Sequence, residues 1–188
     1  MTASNVVLEA LLEAIRIIEG ESLDYCLFGG LAIQAYKRIR STLDVDLLIA
    51  IDEEQKRGFI ARLQKKGFKF DEKKGIIRIS NFEIIRCVYT EKKHLIEVFV
   101  DFVAVTTDFQ KQVLGRKQRL NIFASQVNIA TCEDLILLKV LSGRPLDLSD
   151  VDVLVAENKK SLDKDYLKES AKKLGIERRI SYIINRLA

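Results

Sequence analysis

The residues of this 188-residue chain best suited to chemistry are three acids and a pair of glycines. Asp44 and Asp46 open the run DVDLLIAI (44–51), which reads as a buried strand that begins with acids. Residues two apart on a strand share a face and sit about 7 Å apart. Both carboxylates therefore address one point in space, while Val45 and Leu47 face the core. Asp101 is embedded in LIEVFVDFV (95–103), where an unpaired charge is costly. If its strand lies beside that of Asp44 and Asp46, three carboxylates converge. Like charges about 5 Å apart repel by roughly 3 kcal/mol per pair at an effective dielectric near 20. Such a cluster persists only if a pKa rises or cations bind. Hard oxygen ligands favour Mg²⁺ or Mn²⁺, and two such ions about 4 Å apart suit phosphoryl or nucleotidyl transfer. Phe28-Gly29-Gly30 follows a strand and precedes a helix. It reads either as a turn needing positive φ or as backbone held close to phosphate oxygens.

These pieces together resemble a known superfamily. Phe28-Gly29-Gly30, thirteen residues, then Asp44-Val45-Asp46-Leu47 is similar to the signature of the polymerase-β-like nucleotidyltransferases, and Asp101 matches their third carboxylate. Arg40-Ser41-Thr42-Leu43-Asp44-Val45-Asp46 resembles the Arg-x-Thr-x-Asp-x-Asp stretch of AbiEii-type toxin nucleotidyltransferases. Glu133-Asp134-Leu135, Lys139, Arg144, Asp147 and Asp150 are similar to the helical motif of that group. The resemblance covers most of residues 23–155. It implies transfer of NMP from an NTP to an acceptor hydroxyl on RNA such as tRNA, or on protein, by the toxin of a toxin–antitoxin pair with a separate antitoxin as partner. By the same resemblance Asp44, Asp46 and Asp101 are catalytic and hold two Mg²⁺ (or Mn²⁺) ions. Gly29, Gly30, Arg40, Thr42 and Lys139 bind nucleotide, ATP among the candidates. Arg144, Asp147 and Asp150 read better as an ion-pair network that orders two helices. Two other readings compete: a metal-dependent nuclease, against which the glycine pair argues, and a catalytically silent nucleotide- or partner-binding module on the same scaffold.

Patterning supplies the elements that must hold these residues. Residues 5–19 repeat at helical spacing and Gly20 is a stop. Leu23–Phe28 is a short strand, and a helix runs from the glycine pair to about Lys37. A charged amphipathic helix spans 53–66 and ends at Gly67. Phe68–Phe70, Gly75–Ile79, Glu83–Tyr89 and His94–Val105 are β-rich. A short helix begins at Asp108, and Leu120–Asn128 reads as a strand pair or an irregular strand. After Thr131 the chain is helical, with a break at Gly143-Arg144-Pro145. The predicted class is α+β: a mixed β-sheet flanked by helices over residues 1–130, and a small helical C-terminal subdomain over 131–188 packed on it.

Composition sets the outer limits. Apolar residues make up 48% of the chain and charged residues 31%, enough for a real core and a solvated surface, which excludes intrinsic disorder. A single histidine, His94, excludes His-rich zinc chemistry and reads as a surface or edge residue. Cys26, Cys87 and Cys132 are too dispersed for a metal site and suit reduced thiols. No uncharged stretch is long enough to span a bilayer and no export signal is visible, so a cytoplasmic protein with no membrane partner is expected. Residues 159–188 carry nine Lys/Arg against four Asp/Glu, a basic tail that suits either a solvated helical face or a polyanion such as RNA.

Overall fold

Val6, Val7, Ala10, Leu11, Ala14, Ile15 and Ile18 recur at helical spacing, and all are buried on one face of the first helix, α1 (Ala3–Gly20). A computed structural model describes residues 3–36, 42–79, 82–91, 95–122 and 124–185. Arg40 and His94 lie outside the described residues. Helix α1 is followed by β1 (Tyr25–Phe28), α2 (Gly29–Ala32), β2 (Asp44–Ile49), α3 (Glu53–Lys65), β3 (Phe68–Phe70), β4 (Ile76–Ile79), β5 (Phe82–Thr90) and β6 (Glu97–Ala104). Helix α4 (Asp108–Arg116) leads to the hairpin β7 (Gln118–Ile122) and β8 (Ser125–Ile129), then to α5 (Cys132–Ser142), α6 (Pro145–Asn158), α7 (Lys164–Lys173) and α8 (Glu177–Asn185). The α+β class expected from the sequence is the one observed. One local difference is that α2 does not continue as a regular helix. It tightens into a 3-10 turn over Ile33–Tyr36, and the Tyr36 hydroxyl donates to the Ala130 carbonyl at 2.8 Å, tying that turn to the end of β8.

The strands form one mixed sheet in the order β3-β5-β6-β2-β1-β8-β7, with β4 also paired to β5. The central pair, β2 and β6, is parallel, and Asp46 stands opposite Asp101 in its register. Strand β1 runs antiparallel to β2 and sets Phe28 opposite Asp46, whereas β5 runs antiparallel to β6 and sets Arg86 opposite Asp101.

Alternation then sorts the two faces. Val45, Leu47, Val100 and Phe102 are buried on one face, which α1 and α3 cover. Phe59 of α3 meets Phe102 edge-on with ring centroids 5.1 Å apart, and the Tyr89 hydroxyl donates to Glu9 of α1 at 2.6 Å. The opposite face carries Asp44, Asp46, Phe99 and Asp101. Beyond the sheet, Thr131 caps α5 by accepting from the Asp134 amide, Gly143 ends it at φ +66°, and Pro145 starts α6. No helix among the described residues is long and apolar enough to cross a membrane.

Candidate active site

The site begins with a backbone constraint at Gly29. This residue has φ +70°, and a Cβ built on it would lie 1.9 Å from Asp46 Oδ2. Only a residue without a side chain lets the chain leave β1 so close against that carboxylate. Gly30 follows, buried within α2. Thr42 Oγ1 accepts from the Asp44 amide at 3.2 Å, which fixes the entry to β2.

Asp44, Asp46 and Asp101 share one face, about 5 Å apart between the paired strands. Asp44 is exposed, Asp46 half-buried and Asp101 buried. Burial, then the charges of Asp101 and Asp44, push the Asp46 carboxyl up to about 7; Lys139 and Arg144 pull it part of the way back. The repulsion expected of clustered acids is therefore expressed on Asp46. Asp101 is held by Arg86, whose Nε and Nη2 donate to its two carboxylate oxygens at 2.8 and 2.6 Å. Among the described residues, no three His, Cys, Asp or Glu side chains already form a metal-ligand group. Asp101 has turned to Arg86 instead.

The donor set nonetheless fits divalent ions. Three carboxylates on one face are hard oxygen ligands, the raised Asp46 carboxyl marks a site short of positive charge, and Arg86 stands in as a cation on Asp101.

Lys139 lies apart from the three acids, buried between α5 and α6. Its ammonium is 2.6 Å from Asp147 Oδ1 and 3.0 Å from Asp150 Oδ2. Asp147 also accepts from Arg144 Nε at 2.6 Å and from the Ser142 hydroxyl at 2.7 Å, and these cations and hydrogen bonds hold its carboxyl well below the usual range despite burial. Arg144, Asp147 and Asp150 thus form with Lys139 the helix-ordering network that their spacing suggests. Arg144 is largely exposed and its charge is felt by Asp44 and Asp46, so it also faces the site. Arg86 is the residue that the sequence reading missed. Its signal was an arginine inside the apolar run Ile84-Ile85-Arg86-Cys87-Val88, the same anomaly that singled out Asp101.

The sequence from residue 7 to 182 matches the family described as "Nucleotidyltransferase of unknown function (DUF6036)". The chain belongs to that family. Its fold is that of the polymerase-β-like nucleotidyltransferases, as solved structures of low sequence identity show. The solution structure of the antibiotic-resistance factor ANT(2″)-Ia aligns at TM-score 0.58 and 15% identity over 97% of this chain and all of that one. A lincosamide antibiotic adenylyltransferase with lincomycin bound aligns at 0.54 and 14% identity over 78% of this chain and 94% of that one. An antigenic nucleotidyltransferase-like protein from Paracoccidioides brasiliensis aligns at 0.53 and 18% identity over 97% and 91% of the two chains. No curated protein matches in sequence. As a member of this family the protein is a nucleotidyltransferase.

Proposed function

We propose that this nucleotidyltransferase moves NMP from an NTP to an acceptor hydroxyl, with Mg²⁺ or Mn²⁺ held by Asp44, Asp46 and Asp101. The observation that carries this reading is the register: Asp46 faces Asp101 across the parallel pair, and Gly29 backs onto Asp46. When bound, the ions neutralise the charge that develops on the entering and leaving oxygens. The protein's own groups do the rest. Gly29 and Gly30 bring backbone close to the triphosphate, Thr42 at the entry to β2 lies on the same approach, and Arg40, outside the described residues, joins them by the sequence resemblance alone. Arg144 and Lys139 supply positive potential from the α5–α6 side. Asp101, aimed by its two hydrogen bonds from Arg86, takes the acceptor proton as the hydroxyl oxygen bonds to the α-phosphorus. The bond to the β-phosphate oxygen breaks and pyrophosphate leaves.

Residues 1–130 form the catalytic unit in this reading, with 131–188 as the helical subdomain on its nucleotide side. RNA such as tRNA is the favoured acceptor and protein the other. The cytoplasmic toxin role and its antitoxin partner rest on the Arg40–Asp46 motif. The test incubates the protein with each α-labelled NTP, Mg²⁺ and, separately, total RNA, cell protein, an aminoglycoside and a lincosamide, with EDTA and the double variant Asp44→Asn/Asp46→Asn as controls. Label should reach one acceptor class, and should disappear in both controls while the variant stays folded, since removing crowded charge relieves repulsion. Transfer that survives in the double variant refutes the assignment.

A further inference from the structure

The nucleotide side of the site is fixed by Gly29 on β1 and by Arg144 and Lys139 on α5–α6. In the strand order β1 lies to one side of Asp44, Asp46 and Asp101, with α5 and α6 packed on the 3-10 turn that follows it, and the other side belongs to β5 and β3. There a groove of about 350 Å³ is lined by Lys69, Lys74, Arg86, Val88, Glu97 and Phe99, together with Phe70, Asp71 and Gly75. Two of its lining residues, Phe99 and Arg86, connect it to the carboxylates. Phe99 stands opposite Asp44 in register, and Arg86 is the partner of Asp101. Whatever fills the groove lies next to the residue placed to take the acceptor proton.

The lining has a definite chemistry. Phe99 is 45% exposed, although it sits in a central strand whose next five residues are all buried. Arg86 lies over its ring, 5.7 Å from the centroid, a cation–π contact that holds the aromatic beside the guanidinium. Lys69 is within 3.5 Å of Glu97, which leaves that carboxylate compensated. The groove is lined by Lys69, Lys74 and Arg86 against Asp71 and Glu97, and the segment that supplies one wall is basic. Residues 65–78 hold Lys65, Lys66, Lys69, Lys73, Lys74 and Arg78 against Asp71 and Glu72, a net of +4, equal to the charge of the whole chain. Lysines on edge strands also deter edge-to-edge pairing. That role needs no exposed aromatic at the same place and no arginine shared with Asp101.

We infer that this groove is the acceptor subsite and that its occupant is single-stranded RNA, with a base stacked at Phe99–Arg86 and backbone phosphates on Lys69 and Lys74. The inference rests on the nucleotidyltransferase reading above and adds to it the place and class of the acceptor. Aromatic and guanidinium planes beside a basic track are what binds single strands, whereas a polycationic acceptor would be repelled by this basic wall. A duplex keeps its bases stacked inside and has none to offer Phe99.

The experiment uses the full chain and a fluorescently labelled twelve-nucleotide single-stranded RNA of mixed sequence, without NTP, and reads anisotropy across a salt series. Phe99→Ala should weaken binding about tenfold and Phe99→Tyr should leave it near wild type. The pair Lys69→Ala/Lys74→Ala should also weaken binding and flatten the log–log salt slope by about 1.4, the release expected for two single-strand phosphate contacts. A fluorescent ATP analogue should bind all three variants as it binds wild type, because they lie on the other side of the acids. The same RNA as a duplex should bind more weakly than the single strand. Failure of wild type to bind the single strand, equal binding of the duplex, or unchanged affinity in both Phe99→Ala and the lysine pair each overturns the inference. Label transfer by Asp44→Asn/Asp46→Asn would instead overturn the catalytic reading, and the NTP-free RNA affinities are independent of that result.

Discussion

Gly29→Ala is the perturbation that most directly tests the geometry of the site. Two separable penalties follow from the structure. The first is conformational: φ +70° is left-handed, and an alanine there costs about 1–2 kcal/mol. The second is steric: the new methyl would lie 1.9 Å from Asp46 Oδ2, 2.6 Å from Cγ and 2.9 Å from Cβ, so the carboxylate must swing away. Overpacking of this kind adds about 1–3 kcal/mol. Gly67→Ala isolates the first penalty, because Gly67 has φ +94° and nothing within 4 Å of a built Cβ. Equilibrium urea unfolding should therefore show Gly29→Ala as less stable than Gly67→Ala by about 1–3 kcal/mol. In an Asp46→Ala background the two closest contacts vanish, and the extra cost of Gly29→Ala should shrink, giving a coupling of about 1 kcal/mol or more. Displacing Asp46 should also lower nucleotidyl transfer by about a hundredfold, the usual penalty for a misplacement of about 1 Å, while Gly67→Ala stays active. Equal stability losses for the two glycine variants, with no coupling to Asp46, would refute the claim that Gly29 is packed against the Asp46 side chain.

Four further outcomes can be checked. Asp46 has a folded-state pKa of about 7 against an ordinary 3.8, so the native state binds the extra proton and should lose stability as pH rises from about 4 to 7, then level off. The full shift would be worth about 4 kcal/mol, and water at this half-buried group reduces it to about 1–2 kcal/mol; Asp46→Asn should thus raise the urea midpoint at pH 8 and barely change it at pH 4. Lys139→Met leaves Asp147 and Asp150 buried with less compensation and should cost about 3–5 kcal/mol in unfolding measurements, and Lys139→Met/Asp147→Leu should recover part of it. Cys26, Cys87 and Cys132 are buried and each is pushed up to about 12, chiefly by burial, so at pH 8 about one thiol in ten thousand is ionised. A disulfide reagent should find no thiol in the native protein and three after unfolding in urea. Arg86→Met leaves Asp101 buried without its bidentate partner and should destabilise by about 3 kcal/mol, whereas Arg86→Lys, which keeps a charge, should lose less.

The elements were legible wherever one face of a helix or strand had to be apolar. The heptad-like run in α1, the acid-headed strand β2 and the capped start of α5 all appear where their residues place them, because burial of Val6, Leu47 or Leu135 admits only one register. Strand neighbours were less visible. Local sequence says that Asp44 and Asp46 share a face, but nothing in 44–49 or 97–104 says that β6 lies beside β2 in parallel. Only their joint anomaly, acids in apolar strands, hinted at it.

Arg86 carried the same kind of hint and was passed over, because a lone arginine in a strand is usually a surface residue and its value depends on a partner fifteen residues away. Lys139 shows the other limit of a local reading. A lysine on an apolar helix invites a ligand, yet the two acids eight and eleven residues on already hold it, and its effect on Asp46 comes through the field rather than through contact. Three local oddities therefore meet at one place: a left-handed glycine, a carboxyl driven toward neutrality, and an arginine in an apolar strand. Each is unfavourable alone. Gly29 makes room for Asp46, Asp46 is raised by burial and then by Asp101, and Asp101 is held by Arg86. A chain of such dependencies across three adjacent strands and the turn beside them is hard to explain by packing alone, since apolar residues at 46, 86 and 101 together would need neither the compensating charges nor the left-handed glycine. These dependencies point to catalysis on this face of the sheet rather than at the larger opening near Asp52 and Lys111, which Asp44, Asp46 and Asp101 do not line.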